Sequence, residues 1–135
     1  MKDEELIHIA NMARKNAYAP LTEYKVGAAL LAKSGTVYIG ANIEPPSAIA
    51  STNCAERIAI QNAYSHGERE FLKLAIVGGD SSKEGLSNTL IPCGACLQFI
   101  VEMCKDVDII CYINGKLVTR KITDFLTTPY ELKKE

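Results

Sequence analysis

The chain has 135 residues, 47% of them hydrophobic and 23% charged, with a formal net charge of −1. That is the balance of one soluble domain, residues 1–135, with a real apolar core. It offers no basic footprint for a polyanion, which argues against nucleic acid as a partner. No apolar run approaches the ~20 residues needed to span a membrane. The opening stretch, MKDEELIHIA, is acidic and amphipathic, unlike a secretory leader. A cytoplasmic location is expected, where five cysteines are ligands or buried thiols rather than a disulfide framework. The Lys133-Lys134 pair reads as a solvated tail.

In chain order, Leu6, Ile9, Ala10, Ala13 and Ala17 recur at helical spacing, which predicts an amphipathic helix over 3–17. Val26 to Ala32 is a short apolar run, Ser34-Gly35 a turn signal, and Thr36 to Ile43 alternates; together they predict a hairpin. The stretch 44–52, with Pro45 and Pro46, predicts a loop. A helix is expected over 55–65, ended by Gly67. A strand follows over 72–77, with Gly78-Gly79-Asp80 opening a loop. Pro92 is expected to start another helix, running to about Cys104. Strands over 108–113 and 116–121 flank Asn114-Gly115, the strongest hairpin signal in the chain, and a short helix ends the series. The order α-β-β-α-β-α-β-β predicts an α/β fold, a single sheet with helices on both faces.

The chemistry concentrates in two stretches. "IPCGACLQF" places Cys93 and Cys96 three apart at the predicted start of a helix, on one face. Unpaired N–H groups and the positive end of the helix dipole favour thiolates there. Metal binding, a redox pair and two buried thiols all suit such a pair. "TNCAERIAI" adds Cys54 at a second predicted helix start, 39 residues upstream, with Thr52 and Asn53 as capping candidates. Glu56 lies in the same first turn, where it favours the dipole or reaches a metal-held water. A closed four-cysteine site does not fit. Cys104 comes eleven residues after Cys93 on one helix, ~16 Å along its axis, and Cys111 falls in a predicted buried strand. His8 and His66 read as helix-surface residues without metal-like partners. Three thiolates and an open fourth position is the pattern of a catalytic zinc.

Cys-x-Glu followed by Pro-Cys-x-x-Cys resembles the zinc nucleobase deaminases. "CAER", "PCGAC", "YKVGAAL" and "ANIE" are similar to the cytidine deaminase family, and the likeness runs from the first helix to "FLTTPYE". It implies a three-layer α/β/α fold with one mixed five-stranded sheet, one Zn²⁺ per chain on Cys54, Cys93 and Cys96, and Glu56 as the proton shuttle of hydrolytic deamination. It further implies that Arg57 hydrogen-bonds the ligand sulfurs, that Asn42 and Glu44 hold ribose hydroxyls, and that Tyr24 and the Ala55 backbone meet the base. Tyr130 is expected to reach a neighbouring subunit's pocket in a homotetramer. The substrate is expected to be a small nucleoside, cytidine or deoxycytidine.

The departures fall on the substrate side. Tyr24 stands where the family usually has phenylalanine, Lys25 where it has proline, Leu97 where it has arginine and Thr127 where it has proline. The 45–53 loop lacks the usual aromatic and carries about one extra residue. A modified cytosine nucleoside or a blasticidin S-type aminoheterocycle is therefore the alternative substrate. A zinc-stapled binding module and a thiol oxidoreductase are the alternatives in other classes; neither accounts for Glu56 or for "NIE".

Overall fold

In the computed structural model, residues 1–132 are described; Lys133 and Lys134 lie outside the described residues. The elements are α1 (Asp3–Arg14), β1 (Tyr24–Ala32), β2 (Val37–Ala41), α2 (Ala55–Ser65), β3 (Phe71–Asp80), α3 (Gly94–Cys104), β4 (Asp108–Ile113), β5 (Lys116–Lys121) and α4 (Ile122–Phe125), with a short 3-10 turn at Ile49–Ser51. The strands form one five-stranded sheet in the order β2-β1-β3-β4-β5. Only β3 and β4 run parallel, so the chain between them, with α3, is a crossover. The sheet is mixed, as expected.

Alternation along each strand feeds two cores. On one face Leu6, Ile7 and Ala10 of α1 pack against Ala29, Leu31, Val77 and Ile110. On the other, Ile60 of α2, Ile100 of α3 and Ile122 of α4 meet Leu30, Leu74, Ile76 and Ile109. Fully burying each Leu or Ile side chain contributes about 1.5–3 kcal/mol. Two glycines set how closely helices approach. A Cβ at Gly27 would sit 2.0 Å from the Ala10 carbonyl oxygen, and one at Gly40 2.3 Å from that of Ala55. Gly40 thus lets the first turn of α2 rest on the sheet.

Beyond shifts of one or two residues at strand ends, three readings differ from the structure. The first helix ends at Arg14 rather than at 17. The chain leaves it because Tyr18 pairs with the strand end instead: Tyr18 N–H donates to Asn42 O (2.9 Å) and Glu44 N–H to Tyr18 O (2.8 Å). Gly78, Gly79 and Asp80 open no loop. They continue β3, paired with Val26, Lys25 and Tyr24. Pro92 does not occupy the first helical position. α3 starts at Gly94 and Cys93 is its N-cap, in extended conformation. The Asn114-Gly115 turn forms as read, both residues at positive φ (52° and 79°), as a type I′ turn requires.

Candidate active site

The two cysteine stretches meet because both are helix starts on the same face of the sheet. Cys54 is the N-cap of α2, so Thr52 and Asn53 do not cap it. Its carbonyl accepts the first intrahelical bond, from Ile58 N–H (3.2 Å), as that of Cys93 does from Leu97 N–H (2.8 Å). Each N-cap thiol therefore stands beside N–H groups with no intrahelical partner. Cys96 occupies the third position of α3.

Cys96 links the group. Its thiol is hydrogen-bonded to Cys54 and to Cys93, and it also meets the Glu56 carboxyl. Among the described residues, no three or more His, Cys, Asp or Glu side chains are gathered at ion-holding distance; the sulfurs form a chain with Cys96 in the middle. The hydrogen bond from Cys96 lowers the Cys54 thiol to about 7 against the opposing effect of burial, and the same bond pushes the donor Cys96 up. Three cysteine sulfurs from two helix starts line one cleft, and sulfur is a donor that zinc favours. The donor set fits zinc on this ground. By contrast, burial alone raises Cys104 to about 12 and also raises Cys111, as befits core thiols.

Glu56 is buried, 5% exposed. Burial raises its carboxyl above the ordinary value, opposed by its own backbone N–H, the Cys96 thiol and the Arg57 charge. Among the described residues, Arg57 Nε is buried without a partner, and its guanidinium carbon lies 5.6 Å from the Phe99 ring centroid, a cation–π contact between α2 and α3.

A cleft of about 310 Å³ opens over these groups. Cys54, Ala55, Glu56, Cys93 and Cys96 form one end, with Tyr24, Asn42 and Glu44 among the other lining residues. Asn42 and Glu44 are both buried, and both already have work. Asn42 Oδ1 accepts from Val26 N–H (2.8 Å) and Nδ2 donates to Tyr24 O (2.8 Å), so the amide extends the ladder beyond β2. Glu44 accepts from Leu21 N–H (3.0 Å), Thr22 N–H (3.1 Å) and Thr22 O–H (2.6 Å). Those bonds hold its carboxyl below the usual range. Tyr130 lies outside this cleft, 68% exposed, its backbone clasped by Gln98 through Tyr130 N–H to Oε1 (3.1 Å) and Nε2 to Tyr130 O (2.9 Å).

Of the departures, Leu97 is buried in the core. The 44–52 excursion is closed at its base by reciprocal bonds between Ile43 and Asn53, 3.1 and 3.2 Å. The loop length is therefore absorbed outside that bridge. Thr22, Val26, Ile76, Leu90 and Ile91 also line the cleft and were not singled out by sequence. None carries a local signal beyond being apolar or in a loop. Gly40 did carry one, as a lone glycine inside a predicted strand.

Comparison with known proteins agrees with this geometry. The family described as the cytidine and deoxycytidylate deaminase zinc-binding region matches residues 1–113. A cytidine deaminase of Sporosarcina psychrophila is 49% identical over 105 residues, covering 78% of this chain and 72% of that protein. The blasticidin-S deaminase of Bacillus cereus is 30% identical over 131 residues, 96% of this chain and 92% of that protein. Among solved structures, the cytidine deaminase of Burkholderia pseudomallei superposes with a TM-score of 0.83 at 34% identity, over 96% of this chain and 100% of that one.

Proposed function

The chain belongs to the cytidine and deoxycytidylate deaminase family, and on that footing we propose that it hydrolyses cytidine and deoxycytidine to uridine and deoxyuridine, releasing ammonia. The carrying observation is a buried carboxyl, Glu56, in contact with the Cys96 thiol at one end of a nucleoside-sized cleft. Cys54, Cys93 and Cys96 would hold one zinc per chain. Bound zinc lowers the pKa of water toward ~7 and so supplies a nucleophile at neutral pH.

The protein's own groups supply the rest. A Glu56 carboxylate oxygen takes one proton from the attacking water and passes it to the ring nitrogen beside the amino-bearing carbon; it then takes the proton of the newly added hydroxyl and gives it to the amine, so that the C–N bond breaks, the carbonyl forms and ammonia leaves. Burial keeps this carboxyl from shedding its proton to solvent. The free N–H groups at the start of α2, with the Ala55 backbone among them, orient the base. Asn42 and Glu44 have lone pairs left for sugar hydroxyls. Among the described residues no lysine or arginine lines the cleft, which suits a neutral nucleoside better than a phosphorylated one. Arg57 offsets the negative charge of the thiolates.

We further propose one catalytic domain over 1–135 working in the cytoplasm as a homotetramer, with Tyr130 completing a neighbour's pocket. Its exposure supports that reading, and among the described residues no helix is long and apolar enough to cross a membrane. A second reading, deamination of a blasticidin S-type aminoheterocycle, is favoured by the near-complete coverage of the Bacillus cereus relative. The test is the ultraviolet change when zinc-loaded protein meets cytidine and, separately, blasticidin S. Conversion of cytidine is expected; turnover of blasticidin S alone selects the second reading, and turnover of neither overturns both. Cys93→Ala is expected to lose the metal, and one zinc per chain retained in that variant breaks the ligand assignment.

A further inference from the structure

We infer that Ser87 is a positioning residue for the cleft: through a hydrogen bond to the Tyr24 hydroxyl it fixes the ring of Tyr24, a residue that borders both the cleft and a second hollow. The inference rests on the nucleoside reading of the cleft. Tyr24 O–H donates to Ser87 Oγ at 2.7 Å, across 63 residues of sequence. Tyr24 lines the cleft and also a separate hollow of about 350 Å³, with Gly79, Asp80, Lys83, Leu86 and Ser87. One residue borders both spaces, and a side-chain bond secures the far end of its ring.

The Ser87 end is itself held. Ser87 N–H donates to Gly78 O (2.7 Å), and two residues further the strap is tied to the β4–β5 turn, by Asn114 N–H to Thr89 Oγ1 (2.9 Å) and Gly115 N–H to Asn88 O (2.9 Å). The same strap carries Leu90 and Ile91 into the cleft and leads on to Cys93. Gly78 makes room for this arrangement. A Cβ there would lie 2.8 Å from Leu90 Cδ2 and 3.0 Å from Tyr24 Cε1, so a larger residue would push the ring and the strap apart. With its hydroxyl engaged by Ser87, Tyr24 presents only an apolar face to the substrate, beside Val26, Ile76 and Leu90. A phenylalanine would present the same face but could not be tethered.

Losing the serine hydroxyl frees the phenol to turn toward the second hollow, which weakens substrate binding without touching the proton shuttle. The test is steady-state cytidine kinetics on zinc-loaded wild type, Ser87→Ala, Tyr24→Phe and the double variant. Ser87→Ala is expected to raise KM about five-fold, the equivalent of one net hydrogen bond, with kcat nearly unchanged. In the Tyr24→Phe background the serine change is expected to have no further effect on KM. An unchanged KM in Ser87→Ala, or an equal rise in both backgrounds, overturns the inference; the second pattern marks Ser87 as merely structural. A readout independent of turnover keeps the two readings apart. In protein labelled with ¹³C at tyrosine Cζ, the resonance lost in Tyr24→Phe is expected to shift in Ser87→Ala. If wild type turns over no nucleoside, the functional reading fails, and this shift still decides the tether: no shift overturns it.

Discussion

The thiol end of the cleft stands on two helix ends packed against the sheet, whereas the wall formed by Asn42 and Glu44 hangs on loops and single polar side chains. At the thiol end, Cys54 and Cys93 are N-caps of α2 and α3, and Gly40 seats α2 on the sheet. In the other wall, Asn42 and Glu44 are fixed by bonds to the backbone of β1 and of residues 21–22. Regular elements place atoms through many cooperative contacts. A side chain bonded to a loop depends on two or three. On the proposed function, changes at the thiol end should therefore act on chemistry and metal content, and changes at the Asn42–Glu44 wall on substrate affinity.

The largest expected effect tests that division at its sharpest point. Glu56→Gln keeps the shape of the side chain but removes its ability to shuttle protons, so kcat is expected to fall about 10²–10⁴-fold. Zinc content and melting temperature should stay close to wild type. A variant that keeps full kcat would remove Glu56 from the mechanism. One that loses zinc as well would show the carboxyl to be part of the metal site's framework.

Next comes the seat of α2. In Gly40→Ala the new Cβ would lie 2.3 Å from the Ala55 carbonyl oxygen and 2.6 Å from the Ala59 nitrogen. Both are backbone atoms, so relief requires the helix to shift. Overpacking of this kind costs about 1–3 kcal/mol, readable as a lower midpoint in urea. Because Cys54 and Glu56 travel with the helix, zinc affinity is expected to fall too. A variant with lowered stability but unaltered zinc affinity would show that the thiols adjust independently of the helix that carries them.

The same contrast governs what the sequence discloses. α2 and the β4–β5 hairpin were legible to the residue because their signals are local: helical spacing in one case, Asn114-Gly115 in the other. The cysteine and glutamate stretches were legible because helix ends put chemistry at short, recognisable spacing. Gly78 and Gly79 misled because glycine reads as a breaker, whereas here it makes room on a strand for a side chain arriving from elsewhere. Pro92 misled by two residues, since a proline just before the cap and one just after it have nearly the same sequence signature. Thr22 and Ser87 were silent. Their partners lie 22 and 63 residues away, and no local pattern encodes a bond that only the folded chain assembles.

The smallest effect is expected at the Asn42–Glu44 wall, in Thr22→Val. This removes the 2.6 Å hydroxyl bond to Glu44 Oε2 and the 3.1 Å bond that Thr22 Oγ1 accepts from Tyr24 N–H, and leaves the two backbone donors to Glu44 in place. KM is expected to rise about two- to five-fold with kcat unchanged, the reverse of the pattern for Glu56→Gln. The pH dependence of stability gives a second handle. The Thr22 hydroxyl is the chief cause of the lowered Glu44 carboxyl, with the Thr22 N–H next. A carboxyl lowered on folding binds fewer protons in the folded chain than in the unfolded one. Its contribution to stability is therefore complete above the unfolded value of ~4.3 and is lost as pH falls through the lower folded value. The melting temperatures of wild type and Thr22→Val should accordingly differ near pH 7 and converge as the solution is acidified below about 4. A gap that widened toward acid would mean that the hydroxyl stabilises the neutral carboxyl instead, and that Glu44 meets its substrate as an acid rather than as an acceptor.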